Sequence, residues 1–313
     1  MQLPFFKELS TSHSILLAGA GGGFDIVSGI PIYYYLRTLG KNVVLANLSF
    51  TELSETESAE PCPGMYHITA DSKTIPYFPE KHMLQWLQAR GEYPDMFGFS
   101  TELGVVPLSH AYSTLIQQYH IDTIILIDGG TDSLMFGDET GVATIVEDAC
   151  SIIAASQTGI QKSYLVATGF GVEQFHHLDH YACLENIATL AKDGTYKGAI
   201  SLTTEMSEAG SYLELVSYLN QQMPSSESIV ANSIASSIQG EFGNHHATQK
   251  TKGSELFINP FMSIYWFFTL QGIASKIKFA SKIANSQTMT EVAQCFKLYR
   301  AMNTRRATGK IPF

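Results

Sequence analysis

Four carboxylates lie close together in the stretch "LIDGGTDSLMFGDE", residues 126–139. Asp128 ends an apolar run, two glycines follow it, and Asp132 comes shortly after. Carboxylates grouped at the end of a buried strand need a hard cation, ribose hydroxyls or backbone amides as partners. We therefore interpret Asp128 and Asp132 as catalytic residues that bind ribose or Mg²⁺ and orient a nucleophile. Asp138 and Glu139 better fit the N-cap and first turn of the next helix.

A glycine-rich turn supplies a second candidate site. The stretch "GAGGGFDIVSGIP", residues 19–31, joins an apolar strand to a helix. Backbone amides without side chains at a helix N-terminus hold an anion or a polar ligand edge. We expect Gly21, Gly22 and Gly23 to bind the anionic end of a ligand. Asp25 then either complements the helix dipole or binds ribose hydroxyls or a metal-bound water.

Two common nucleotide-binding motifs do not fit this turn. A dinucleotide fingerprint needs a third glycine, and Phe24 or Ile26 stands there in the two frames. Asn47 replaces the acidic residue expected at the end of the second strand, and it is kept as a candidate ligand contact. No Gly-Lys-Ser/Thr sequence of the Walker type follows the turn. The sequence therefore argues against an ordinary NAD-dependent dehydrogenase and against a P-loop enzyme.

Polar residues also follow later strands, as in "TGFGVEQFHHLDH" after the fourth and "TTEMSE" after the fifth. Ligands of open parallel sheets bind beyond the carboxyl ends of the strands, so these residues are expected to share one crevice. Either Glu205 or a histidine near His177 is our candidate general base. The further candidate ligand contacts at these strand ends are Gly129, Gly130, Thr168, Gly169 and Gly171.

The most basic short stretch is "GNHHATQKTKG", residues 243–253. Its lysines, Lys250 and Lys252, either meet a substrate phosphate from across the crevice or belong to a solvated loop.

Apolar runs alternate with helical patterns along the chain, which predicts one three-layer α/β/α domain over residues 1–313 with a Rossmann-like, mostly parallel sheet. The predicted strands are 14–20, 42–48, 123–128, 163–168 and 198–203, with a less certain sixth at 255–258. The predicted helices are 79–90, 140–156, 178–192 and 208–222. Residues 51–104 are interpreted as an insertion or a lid over the sheet, and residues 260–306 as a helical end. The apolar segment 256–274, which overlaps that end, is expected to form a buried or subunit-interface helix, begun by Asn259 and Pro260.

Composition narrows the classes of partner. The formal net charge is −10, and no run of lysines or arginines is present. Nucleic acids and anionic membranes need a basic surface, so we expect a small-molecule ligand, in a chain that could form a homo-oligomer. The four cysteines are far apart and show no metal-binding spacing, which favours a cytoplasmic location.

Two resemblances accompany these motifs. The pieces "GAG" and "SGIP" are similar to the nucleotide loop of sirtuins, although two more residues separate them and Ile-Tyr-Tyr replaces the sirtuin Asp-Phe-Arg. Over nearly the whole chain, "GAGGGFDIVSGIP", "DGGTDSLMFGDE" and "NPFMSIYWFF" resemble the family called domain of unknown function 1152. This second resemblance implies one continuous α/β domain and implies no particular chemistry.

The expected function is that of an enzyme acting on a nucleotide-like or phosphorylated small molecule. Hydrolysis or transfer at a ribosyl or phosphoryl centre fits the candidate residues, with Mg²⁺ or a nucleotide as the cofactors that the motifs allow. The alternative is a non-catalytic nucleotide sensor or regulatory subunit that uses the same crevice.

Overall fold

The computed structural model describes residues 2–311. In this range the strands are β1 (Ser14–Gly19), β2 (Asn42–Ser49), β3 (Ala59–Cys62), β4 (Met65–Ile68), β5 (Met96–Ser100), β6 (Thr123–Asp128), β7 (Lys162–Ala167), β8 (Tyr196–Ser201), β9 (Gly243–Asn244), β10 (Phe257–Ile258) and β11 (Ile264–Thr269). The helices are α1 (Pro4–Leu9), α2 (Asp25–Ser28), α3 (Ile30–Thr38), α4 (Pro79–Gln88), α5 (Val105–Tyr119), α6 (Ile145–Ser156), α7 (His180–Lys192), α8 (Ser207–Gln222), α9 (Ile229–Ile238), α10 (Leu270–Ala274), α11 (Ala280–Ile283) and α12 (Met289–Met302).

Nine strands of the described range form one mixed sheet in the order β3-β4-β5-β2-β1-β6-β7-β11-β8. The central pairs from β5 to β7 are all parallel. Only β4 and β11 run antiparallel to both of their neighbours, so seven of the nine strands share one direction. The mostly parallel, Rossmann-like α/β sheet is confirmed.

Helices cover both faces of the sheet, because alternate side chains of the buried strands point to opposite sides. In β1, Ile15 and Leu17 pack into one core with α1–α4, α8 and α9. Leu16 and Ala18 of the same strand pack into the other core with α5–α7 and α10–α12. The predicted three-layer architecture is therefore confirmed.

Residues 51–104 do not form a lid over the sheet. Three of the strands, β3, β4 and β5, come from this interval and extend the sheet beyond β2, with β5 paired in parallel to β2. The interval was misinterpreted because its strands are four or five residues long and contain Pro61 and Gly98, which are unfavourable in strands. It still contributes Tyr77 to the cavity described below.

The C-terminal part is helical only outside β11. The expected cap does occur, since Asn259 Oδ1 accepts a hydrogen bond from the Phe261 N–H at 3.0 Å and Pro260 begins a 3₁₀ turn. The predicted helix at 256–274 is nevertheless wrong, because "IYWFFT" forms β11 between β7 and β8. A short, continuous apolar run cannot be assigned to helix or strand by periodicity, and its aromatic residues favour a strand.

The less certain sixth strand also lies elsewhere. Phe257–Ile258 pairs with Gly243–Asn244 in a separate two-stranded sheet, outside the central one. No helix within residues 2–311 combines the length and the apolar character needed to cross a bilayer.

The chain order places one crevice at the centre of the sheet. From β1 the chain continues to β2 on one side, and it later returns to pair β6 on the other side of β1. Such a reversal opens a crevice at the carboxyl ends of the two strands, where ligands of open α/β sheets bind.

Candidate functional site

A cavity of about 350 Å³ lies at the carboxyl ends of β1 and β6. Its wall is formed by the turns after these strands, the start of α6, the turn after β7 and residues near the start of α9. Seven of the lining residues are acidic: Asp25, Asp128, Asp132, Glu147, Asp148, Glu173 and Glu227. The basic side chains that line it are Lys250 and His176. The cavity is therefore a strongly acidic site.

The glycine turn holds a carboxylate of the protein itself. Gly22 and Gly23 have φ values of 105° and 61°, in the left-handed region that favours glycine. This conformation lets Asp25 Oδ2 accept hydrogen bonds from the N–H groups of Gly21 at 2.6 Å and Gly22 at 2.9 Å. Asp25 Oδ1 accepts a third from Gly129 N–H at 3.1 Å. Two amides expected to hold an anionic ligand are thus already engaged, and the turn positions a carboxylate.

Asp128 ends β6 and leaves one oxygen without a described hydrogen bond. Its Oδ2 accepts from the Ser133 N–H at 3.3 Å and, over a short distance, from the Ser133 hydroxyl. Its Oδ1 would lie 3.0 Å from a Cβ atom added to Gly130, so a glycine is needed beside it. Gly130 does not line the cavity, and its carbonyl accepts a hydrogen bond from the Thr168 N–H at 3.2 Å.

Asp132 is fixed by the start of α6. Its Oδ2 accepts hydrogen bonds from the Thr144 N–H at 3.0 Å and the Thr144 hydroxyl at 2.6 Å. Asp132 is 3% exposed and lines the cavity, as Asp128 does. The structure therefore brings together both carboxylates chosen from the sequence.

Two further buried carboxylates complete the cluster: Glu173, whose stretch after the fourth predicted strand is expected to share the crevice, and Asp148, which was not chosen from the sequence. Glu173 follows β7, and its Oε2 accepts a hydrogen bond from the Thr131 N–H at 2.7 Å. Asp148 lies in the first turn of α6 and is 1% exposed, with no hydrogen-bond partner for its Oδ1 within the described range. A signal for Asp148 exists, because it occupies an apolar-stripe position of α6 three residues after Ile145 and four before Ile152.

The crowding of these acids changes their ionisation. Desolvation raises the pKa of Asp25 to about 7, against the lowering effect of the Gly129 amide. Burial, followed by the charge of Asp132, raises the pKa values of Asp128, Asp148 and Glu173 well above their usual range. Without a ligand the folded protein therefore disfavours the fully charged cluster.

Three of the acids have the spacing of a metal site. One carboxylate oxygen each from Asp25, Asp128 and Asp148 lies within 4.8 Å of the others. Asp132, which was paired with Asp128 in the sequence prediction for Mg²⁺, is not part of this group.

Aromatic side chains line another part of the cavity. Phe50 is 55% exposed, and its ring covers Gly22 and Gly23. Tyr77 lies with its ring centroid 6.1 Å from that of Phe24. Flat, partly open rings of this kind can stack on a planar group of a ligand.

Lys250 reaches the cavity from the basic loop, as one of the two interpretations of that loop expects. Its Nζ donates a hydrogen bond to the Glu227 carbonyl at 3.1 Å.

The candidates from the sequence divide into two groups. Those that line the cavity are Gly21, Gly22, Gly23, Asp25, Asp128, Gly129 and Asp132. Those placed outside its lining are Asn47, Gly130, Thr168, Gly169, Gly171, His177 and Glu205.

Asn47 supports the glycine turn from inside the protein. Its Nδ2 donates to the Gly23 carbonyl at 2.9 Å and to Glu80 Oε1 at 2.7 Å. Glu80 is fully buried and also accepts from the Thr51 hydroxyl at 3.2 Å. Asn47 is therefore a positioning residue, outside direct reach of a ligand.

The polar residues after β7 connect to the segment that precedes β11. The Thr168 hydroxyl donates to the Met262 carbonyl at 3.2 Å, and the Gly169 N–H donates to the same carbonyl at 3.1 Å. A Cβ on Gly171 would lie 2.9 Å from Asn259 Nδ2. These residues position the turn that carries Glu173.

Neither candidate for the general base faces the carboxylates. Glu205 is exposed and follows β8, which is separated from β6 by β7 and β11. His177 is exposed and lies beside Thr308 and Gly309 of the C-terminal segment, whereas its neighbour His176 lines the cavity. The insertion of β11, which the sequence interpretation missed, accounts for the displacement of Glu205.

Asp138 and Glu139 do not cap a helix, because α6 begins at Ile145. The fully buried Glu139 instead accepts hydrogen bonds from the N–H groups of Phe136 at 2.7 Å and Gly137 at 2.8 Å. It also forms an ion pair of 2.8 Å with Arg306.

No curated protein matched the chain. A family described as "Protein of unknown function (DUF1152)" matches residues 16–303, a range that includes all of the carboxylates of the cavity. The chain belongs to this family.

Proposed function

We propose that the protein is an enzyme that acts on a nucleotide-like small molecule, by hydrolysis or transfer at its ribosyl centre. The observation that carries this proposal is the group of buried carboxylates around a cavity of about 350 Å³ at the carboxyl ends of β1 and β6. This volume is within the usual range of small-molecule sites. Carboxylate oxygens are good acceptors for ribose hydroxyls and repel phosphate, which favours the ribosyl centre as the reacting one.

Other parts of the cavity suit the rest of such a ligand. Phe50 and Tyr77 offer aromatic surface to a base, and stacking of this kind tolerates any base. Lys250 offers a cationic contact to a phosphate group. The net charge of −10 continues to favour a small molecule over a nucleic acid as the partner.

Asp132 is the proposed general base. Thr144 holds its Oδ2, and the Glu173 carboxyl lies within hydrogen-bonding reach of Asp132. Asp132 would take a proton from a water molecule whose oxygen bonds to the anomeric carbon. The leaving group would depart with the electron pair of the broken bond and take up a proton from solvent. Asp132 replaces Glu205 and His177 in this role because it lines the cavity and they do not.

Phosphoryl transfer is the second candidate, and the presence of Lys250 in the cavity favours it. The two reactions differ in their products, since the first releases a base or other ribosyl substituent and the second releases or transfers phosphate.

A product assay tests the proposal. Nucleosides, nucleotides, dinucleotides and sugar phosphates are incubated with the purified protein and separated by chromatography. We expect release of a ribosyl substituent, and a loss of about 100-fold or more in kcat for Asp132→Asn with a Tm equal to or above that of the wild type. Asp71→Asn, at an exposed position outside the cavity, is the matched control. Saturable binding of a nucleotide with no product from any compound would contradict the proposal of an enzyme. It would support the alternative of a non-catalytic nucleotide sensor or regulatory subunit.

A further inference from the structure

The cluster contains a carboxylate, Asp148, that no group in residues 2–311 compensates. Asp148 is only 1% exposed, its Oδ1 has no hydrogen-bond partner among the described residues, and it lines the cavity. An isolated buried carboxylate is costly, so a partner is expected from outside the chain. Asp148 lies against the glycine turn, since a Cβ on Gly21 would be 2.6 Å from its Oδ2.

The other two carboxylates near Asp148 are already oriented by hydrogen bonds. Three backbone amides hold Asp25, and Ser133 holds one oxygen of Asp128. Fixed carboxylates with unused lone pairs resemble metal ligands supported by an outer layer of hydrogen bonds. In the described range, no ion pair with a lysine, arginine or histidine includes any of the three.

We propose that Asp25, Asp128 and Asp148 together bind one Mg²⁺ or Mn²⁺ ion in the cavity. Their oxygens lie within 4.8 Å of one another, so small rotations of the carboxylates would bring all three to about 2.1 Å from one ion. A set made only of carboxylate oxygens favours hard cations over zinc or copper. Three ligands from the protein leave coordination positions for water and for a ligand oxygen.

This inference deepens the proposed function and rests on it for the role of the ion. Bound beside Asp132, the cation would take ribose hydroxyls or a phosphate oxygen as ligands and so orient the substrate. Binding of the ion itself is independent of any turnover, and it is measured without a substrate.

Calorimetric titration of the metal-free protein with Mn²⁺ tests the inference. We expect one saturable site in the wild type and in Asp71→Asn, and a rise in Tm of about 5 °C at roughly a 100-fold excess over Kd. Asp148→Asn should bind Mn²⁺ roughly 100-fold more weakly or worse. Its metal-free Tm should equal or exceed that of the wild type, because an uncompensated buried charge has been removed.

The outcomes separate the two proposals. Absence of saturable Mn²⁺ and Mg²⁺ binding in the wild type would overturn the cation site, as would undiminished affinity in Asp148→Asn. Asp128→Asn serves as a second variant if Asp148→Asn does not fold. Product release that persists in excess EDTA would retain the enzyme and contradict the role of the ion in orienting the substrate. A single Mn²⁺ site without any product would retain the cation site and contradict the enzyme.

Discussion

At the scale of single residues, the central feature is the contact between the glycine turn and the carboxylates. Glycine is required at Gly22 and Gly23 for their left-handed backbone, whereas Gly21 is required for the close approach of Asp148. In the sequence the turn resembles a phosphate-binding loop. A glycine-rich turn that binds a phosphate and one that binds a carboxylate of the protein have similar glycine content. Only the folded chain shows that Asp25 occupies the amides.

Gly21→Ala tests the role of this contact. The added methyl group would lie 2.6 Å from Asp148 Oδ2, so the carboxylate must move, while the backbone of Gly21 is not in the left-handed region. We expect the fold to persist and Mn²⁺ affinity to fall about 10-fold or more. Gly210→Ala, in open space on α8, is the control and should stabilise the protein by about 0.5–1 kcal/mol. Equal Mn²⁺ affinities in wild type and Gly21→Ala would argue against the proposed positions.

The residues of the cavity were only partly predictable. Asp25, Asp128 and Asp132 closely follow strands, so their shared position can be derived from the topology of a parallel sheet. Glu173 follows β7, so its position at the same edge of the sheet can be derived in the same way, whereas Asp148 depends on how α6 packs against β6. That packing is tertiary information, although the place of Asp148 in the apolar stripe of α6 was a usable signal.

At the scale of elements, the sequence predicts the central strands β1, β2, β6 and β7 and the edge strand β8, whereas it misses β3, β4, β5 and β11. Runs such as "ILLAG" in β1 and "TIILID" in β6 are apolar and rich in aliphatic residues, which is typical of buried strands. The antiparallel β11 has equally apolar residues but follows Asn259 and Pro260, which are also helix-start signals. These local signals do not decide between helix and strand for residues 264–269. Pairing with β7 and β8 on either side makes the segment a strand.

Asn47→Asp tests how β2 supports the glycine turn. Burial raises the pKa of Glu80, and the amide of Asn47 counteracts this by donating to it. A second carboxyl here removes that donor, in surroundings that also hold Asp25 and Tyr77. Burial, followed by the charges of Glu80 and Asp25, raises the pKa of Tyr77. We expect a loss of about 2–4 kcal/mol in unfolding free energy near pH 7.

The sign of the pH dependence follows from the raised pKa values. A carboxyl whose pKa is higher in the folded protein stabilises it below the unfolded value, near ~4, and this stability is lost as the pH rises through the folded value. The deficit of Asn47→Asp should therefore shrink as the pH falls from about 7 towards about 4. Urea unfolding at several pH values measures it, with the exposed Asn42→Asp on the same strand as control. A deficit independent of pH would contradict this account of Asn47.

At the scale of the whole molecule, the C-terminal segment, residues 300–306, packs against the turn in the chain that follows β6, residues 137–140. Arg306 Nη2 donates to Glu139 Oε1 at 2.8 Å and to Asn186 Oδ1 at 2.7 Å, and Nη1 donates to Glu185 at 2.7 Å. Arg300 adds hydrogen bonds to the carbonyls of this turn. The C-terminal segment is thereby joined to the stretch of chain that carries Asp132.

Arg306→Leu tests this connection. Loss of the guanidinium leaves the buried Glu139 with amide partners but no cation, which should cost about 2 kcal/mol or more in unfolding free energy. The exposed neighbour supplies the matched control, Arg305→Leu, which should change the unfolding free energy by less than about 0.5 kcal/mol. Equal urea midpoints for the two variants would show that the segment does not stabilise the turn.

Anomalous diffraction from crystals grown with MnCl₂ tests the central claim most directly, because it locates the ion without reference to activity. We predict one strong Mn²⁺ peak in the cavity, within about 2.3 Å of oxygens from Asp25, Asp128 and Asp148. The same crystals with a nucleotide should place ribose or phosphate oxygens beside the ion and beside Asp132. A well-ordered cavity with no peak between these three carboxylates, or with a peak only at other residues, would contradict the account.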